Sequence, residues 1–372
     1  MHHFFSLHID LFLSLCYNNK KHFEGSSVTN LNTVNTDKSR VLYFDVLNIL
    51  ATLSVVFLHC NGTAHIYSNT LGWYQALFIE VFLYWPVPVF FMLTGATLME
   101  YRSRYTTSQF FKKRFLRTVI PFVFWTLINA VLKGINPFEI GFGQFISRCF
   151  LTSVENVYWF FIPLFSVYLA LPVLSLLKNH RRILWYLAGS TFLLTSLLPP
   201  VFKYIGLSWN TNLNMPMSAG YLLFVILGYL FSTEELSRKQ RLVIYGFGIF
   251  GAVLRYTMTV ILSVGDGVIN KMFFSYTEYY SVFLAVAVFV MLRYMKPVNF
   301  LRDKKEVLSK ISGCSFGVYL IHMIIIRFFN SILPETFFGA VWRMTAPVFI
   351  YLIALLITFV LKKIPIIKNI VP

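Results

Sequence analysis

His59 stands near the end of a long apolar run, Val41 to Cys60, where an imidazole is costly to keep and by default does chemistry. Histidine changes protonation near neutral pH, so it can draw a proton from a hydroxyl or carry a group covalently. Asp45, Asn48 and Thr52 precede it in the same run. Eleven residues separate Asn48 from His59, about three helical turns at 3.6 residues each, so the two lie on nearly one face. This polar stripe reads either as interhelical hydrogen bonding or as part of a reaction centre. His59, Asp45 and Asn48 are the candidate catalytic group.

Two further groups carry chemistry. Arg114 and Arg117 lie in Phe111-Lys112-Lys113-Arg114-Phe115-Leu116-Arg117, just before Pro121 and Trp125. Three-residue spacing predicts both guanidiniums on one helix face, and arginine forks suit phosphates. They read as a dock for a phosphorylated donor or as a plain cytoplasmic anchor. The run Ser312 to His322 holds small residues that allow close helix approach, and its Tyr319 and His322 share a face. His322 reads as a donor-side residue or as a satisfied structural histidine. Glu80, Arg255 and Glu278 are charges within apolar segments, and each needs a partner or a water-filled cavity. Glu80 is a candidate to orient His59, as carboxylates do for catalytic imidazoles. Cys16, Cys60, Cys149 and Cys314 form no CxxC pair or Cys/His ligand set, so no zinc or redox motif is expected.

The elements that position these residues belong to a membrane. Hydrophobic residues make up 57% of the chain, charged residues 13%, and the mean hydropathy is +0.66. Soluble domains carry about 25% charged residues, so this chain takes lipid as its solvent. The net charge of +17 does not indicate nucleic acid, because the basic residues sit in alternate loops rather than in a soluble recognition module. Apolar segments run at roughly 41–63, 72–99, 116–133, 158–177, 182–200, 218–232, 242–264, 276–295, 311–331 and 342–362. Segment 218–232 is short, and 137–156 is too mixed to span, which suits a short interfacial helix. Lysine and arginine crowd the second, fourth, sixth and eighth loops and the tail, while Lys203 and Lys271 stand nearly alone in the opposite loops. By the positive-inside rule both termini are cytoplasmic, Asp45 lies toward the cytoplasm and His59 toward the outer half. The expected fold is an all-α membrane protein, a polytopic bundle of about ten transmembrane helices over residues 41–365. Residues 1–40 read as a flexible cytoplasmic leader and 366–372 as a short cytoplasmic tail.

Five motifs in order carry a family resemblance. Tyr43-Phe44-Asp45 through Val55-Val56-Phe57-Leu58-His59 resembles the first-helix signature of the acyltransferase-3 family of membrane O-acyltransferases. Phe90 to Gly95 resembles its second-helix element, and Arg114-Phe115-Leu116-Arg117 with Pro121 its paired-arginine element. Trp159-Phe160-Phe161 with Tyr168-Leu169 and Pro172, then Ser315 to His322, resemble two later signatures. The resemblance implies a plasma-membrane enzyme with no bound cofactor. Its donor is a cytosolic acyl-coenzyme A, usually acetyl, and its acceptor a hydroxyl of a cell-surface glycan or lipid-linked sugar. Carried over, His59 is the base, and Arg114 and Arg117 serve the donor, with Tyr319 and His322 on the donor side. Thr52, Asn48 and Tyr319 are candidate donors to the oxyanion formed at the thioester. Asn48 stands where the family usually has Arg or Lys, and no histidine shortly precedes Trp159. A glycan exporter built on the same bundle is the alternative function, though no internal repeat supports it.

Overall fold

The computed structural model describes residues 41–216, 218, 220–296, 303–334, 339–365 and 367–372. The expected leader, residues 1–40 with Cys16, lies outside the described residues. Among the described residues the chain is helical with no strand. In lipid only helices and closed barrels satisfy every backbone group internally, so long apolar runs become helices. Helix α1 spans Leu42–His59, α2 Leu71–Phe82, α3 Pro86–Leu98, α4 Thr107–Arg114 and α5 Ile120–Leu132. They are followed by α6 Phe142–Phe150, α7 Phe161–Leu174, α8 Arg181–Thr191 and α9 Leu222–Thr233. The last four are α10 Arg238–Asp266, α11 Tyr279–Tyr294, α12 Lys305–Ile332 and α13 Ala340–Lys363.

Eight helical stretches among the described residues are long and apolar enough to cross a membrane. The other two segments of the expected ten, α9 and α11, are 12 and 16 residues long. At 1.5 Å per residue they reach about 18 and 24 Å, short of a hydrocarbon core of about 30 Å. Every residue of α9 from Leu223 to Phe231 is buried, so this helix lies inside the bundle. The segment expected at 72–99 is two helices. Its ladder breaks at Leu83–Trp85, where Pro86 begins α3 and supplies no backbone N–H. The mixed stretch 137–156 contains α6, a nine-residue helix with Phe145 buried and Phe142, Ile146 and Phe150 largely facing outward. The tail is packed: Val371 is fully buried, and Trp125 Nε1 donates to the Ile370 carbonyl at 2.9 Å.

Packing places α1 at the centre, against α12, α13 and α3. Helix α9 lies along α3, and α10 along α11. The α3–α9 crossing is backbone against backbone. A Cβ on Gly95 would stand 1.9 Å from the Val225 carbonyl oxygen, and one on Gly228 2.0 Å from that of Met92. Only glycine fits either position, which gives the glycine of the Phe90 to Gly95 motif its physical reason.

Candidate functional site

The last turn of α1 meets the middle of α12. His59 Nδ1 lies 2.7 Å from His322 Nε2. The ring centroids are 4.9 Å apart and the planes differ by 13°, so the rings meet edge to edge in a common plane rather than face to face. That is the geometry of an in-plane N–H···N hydrogen bond. His322 Nδ1 lies 2.7 Å from the Tyr319 carbonyl oxygen and 3.2 Å from that of Val318. A carbonyl only accepts, so His322 Nδ1 carries the proton, and in the neutral ring Nε2 is a lone pair. His322 Nε2 therefore accepts from His59 Nδ1–H, which leaves His59 Nε2 as the basic nitrogen. A backbone carbonyl thus sets the tautomer of both rings.

The support of this relay is a buried polar network. Tyr319 Oη donates to the Val157 carbonyl, and Tyr158 Oη donates to the Leu320 carbonyl at 2.7 Å. Asn129 Nδ2 reaches Tyr158 Oη at 3.1 Å. Arg327 bonds both Asn129 and Glu155, and Lys133 Nζ stands 3.2 Å from the same Glu155 carboxylate. One buried carboxylate with two cations thereby pins α5 and the start of α7 to α12, next to the carbonyl that orients His322. Glu155 and Arg327 drew no attention in the sequence. The available signal was a lone arginine inside the apolar segment 311–331.

The other candidates lie apart from the relay. Asn48 donates to the Ser312 carbonyl at 3.0 Å and reaches Ser312 Oγ at 3.1 Å, tying α1 to α12. Thr52 Oγ1 donates to the Asn48 carbonyl at 2.8 Å. Eleven residues of helix place Asn48 about 16 Å along the axis from His59, and Asp45, buried in the first turn, farther still. The Asn48, Thr52 and Tyr319 donors are thus spent on the protein itself. Arg114 turns inward, its guanidinium 5.7 Å from the Tyr168 ring centroid and 5.9 Å from that of Phe110. Arg117 is exposed. A π-helical turn, Phe115–Val119, follows Arg114 and breaks the expected common face, because its wider turn changes the angle between residues three apart.

Glu80 does not orient His59. Among the described residues its neighbouring base is His65, with Oε1 3.9 Å from Nε2. Burial holds the His65 imidazole below its ordinary value, and the charges of Lys271 and Arg255 push the same way. His59, Tyr319 and Tyr276 are each half-buried. Among the described residues no group of three or more His, Cys, Asp or Glu could hold a metal ion.

The geometry is that of two paired imidazoles, with their tautomers set by a backbone carbonyl, where α1 meets α12. The profile of the acyltransferase-3 family, an acyltransferase domain, matches residues 41–362, nearly the whole chain. No curated protein and no solved structure matches it. The chain belongs to the acyltransferase-3 family and is a multi-pass membrane acyltransferase.

Proposed function

We propose that the protein moves an acyl group, acetyl in the simplest case, from a cytosolic acyl-coenzyme A to a hydroxyl of a cell-surface polysaccharide or lipid-linked sugar. Both termini face the cytoplasm in this reading, and the membrane is the plasma membrane. The observation that carries it is the relay from the Tyr319 carbonyl through His322 to His59, which leaves His59 Nε2 as a lone pair on a half-buried ring. His59 Nε2 takes the acceptor's hydroxyl proton as the oxygen attacks the thioester carbonyl. The tetrahedral intermediate then collapses, the carbon–sulfur bond breaks, and the imidazolium returns the proton to the leaving thiolate. Arg114 and Arg117, with Lys112 and Lys113, hold the donor's phosphates at the opposite end of the bundle. In this reading the donor's pantetheine arm, long and thin, threads the bundle core toward His59.

The test is transfer of radiolabelled acetyl from acetyl-coenzyme A to cell-surface glycan by protein in lipid nanodiscs. Label should appear in the glycan with wild type and not with a folded His59→Ala variant. Equal labelling by both removes His59 from the mechanism.

A further inference from the structure

A one-way chain of hydrogen bonds leaves α12 at Arg327 and returns to its backbone beside His322. Arginine only donates, so the Asn129 atom that Arg327 Nη2 meets is the oxygen, and the amide orientation is settled. Asn129 Nδ2 then donates to the Trp125 carbonyl at 2.9 Å and to Tyr158 Oη at 3.1 Å. A hydroxyl that accepts from Asn129 turns its own hydrogen elsewhere, and the Leu320 carbonyl takes it at 2.7 Å. Arg327 and Leu320 both belong to α12, so the chain closes on the helix it left. A second link runs through Glu155. Its carboxylate accepts from Arg327 Nη1, and its carbonyl accepts from the Tyr158 backbone N–H at 3.0 Å. Asn129 and Tyr158 are each 1% exposed, and Glu155 is 3% exposed.

The place where the chain ends ties it to the relay. The Tyr319 carbonyl, which accepts from His322 Nδ1, belongs to the peptide before Leu320. The Leu320 carbonyl, which accepts from Tyr158, belongs to the peptide after it. Tyr319 Oη donates in the opposite direction, to the Val157 carbonyl next to Tyr158. Two tyrosines thus bond reciprocally between α12 and the turn before α7, and the peptide planes on both sides of Leu320 are held. A rotation or slide of α12 here breaks the Tyr158 bond and moves the Tyr319 carbonyl and the His322 ring together. The Glu155–Arg327 ion pair alone is enough to join the two segments. Asn129 and Tyr158 neutralise no charge. What they add is direction, at buried groups where a lost partner is costly.

We infer that Asn129, Tyr158, Glu155 and Arg327 are positioning residues of the relay, and that their closed ring sets the angle and height at which His322 Nε2 meets His59 Nδ1. They act through the Tyr319 and Leu320 peptides rather than on reacting atoms. The consequence for rate rests on the acyl-transfer reading, and the geometry stands apart from it.

The test is Tyr158→Phe, which removes one oxygen and keeps the ring, studied in nanodiscs by two readouts. The first is steady-state transfer from acetyl-coenzyme A to cell-surface glycan. A small misplacement costs rate rather than affinity, so kcat per folded molecule should fall about tenfold, with both KM values within about twofold of wild type. The second is solid-state NMR of protein carrying isotope-labelled histidine, assigned through His59→Ala and His322→Ala. The proton shared by the two rings should lie far downfield in wild type and move upfield in Tyr158→Phe. Glu155→Gln, at the charged end of the ring, should move the same resonance the same way. The double variant should lose about as much kcat as the worse single one, because both break one ring. If Glu155→Gln fails to fold, Tyr158→Phe carries the expectation alone. A merely structural clamp lowers Tm and leaves kcat per folded molecule and the resonance in place. Folded Tyr158→Phe with either readout unchanged, or single losses that multiply in the double variant, overturns the inference. Where wild type transfers nothing, a shifted resonance keeps the positioning ring and overturns the transfer reading alone.

Discussion

In the proposed mechanism His322 takes the place that a carboxylate takes beside the base of a serine hydrolase. A neutral imidazole would orient His59 and accept its Nδ1–H hydrogen bond, but it would bring no negative charge to offset an imidazolium there. The orientation comes from the Tyr319 carbonyl, at 2.7 Å from His322 Nδ1. His322→Ala should therefore lower kcat by about 100-fold, the usual scale of general-base assistance. His322→Gln should retain more activity, because its side-chain oxygen can still accept from His59 Nδ1–H. Equal loss in both variants would show that the orienting bond is not what matters. His65 gives a stability prediction. Its folded-state value lies below 6.5, so the unfolded chain takes the proton first as pH falls. Stability should drop as pH falls through that value, and the drop in Tm between pH 7.5 and 5.5 should shrink in His65→Gln. His59 stood out in the sequence because an imidazole in an apolar run is costly to keep, and the structure gives it a buried partner in His322. That pairing did not stand out, since 263 residues separate the two and both read alike. Glu80 was the natural guess by type, and only contacts could assign it to His65.

At the scale of elements, the α3–α9 crossing sets how closely the core can close. Gly95 and Gly228 each face a carbonyl of the other helix, and neither carbonyl can move without breaking its own ladder. Gly228→Ala should destabilise the protein by about 3 kcal/mol, the upper range for overpacking. A Tm within 1 °C of wild type would contradict the backbone contact. The break between α2 and α3 was legible in Pro86 and Pro88, yet the hydropathy of 72–99 is continuous and hides it. The π-turn after Arg114 was not legible at all. No residue type marks it, and a three-residue spacing was read at ordinary helical pitch.

For the whole molecule, composition was decisive for a lipid solvent, and continuous apolar runs were decisive for helices, because a closed barrel, the other way to hide the backbone in lipid, needs alternating strands. The count was harder. Helix α9 is as apolar as a span but is buried by protein on all sides, and hydropathy does not distinguish protein from lipid. The basic loops predict the orientation independently of that count. Single cysteines at Lys239 and Lys271, in a background lacking the native ones, should react with an impermeant maleimide from opposite sides, Lys271 from outside the cell. Labelling of both from one side would contradict the topology.

The measurement that bears most directly on this account is coenzyme A release from acetyl-coenzyme A by purified protein in lipid, with and without cell-surface glycan, for wild type and His59→Ala. The account predicts release that glycan stimulates and that His59→Ala abolishes while the protein stays folded. No release by folded wild-type protein under any condition, or release that persists in His59→Ala, would contradict it.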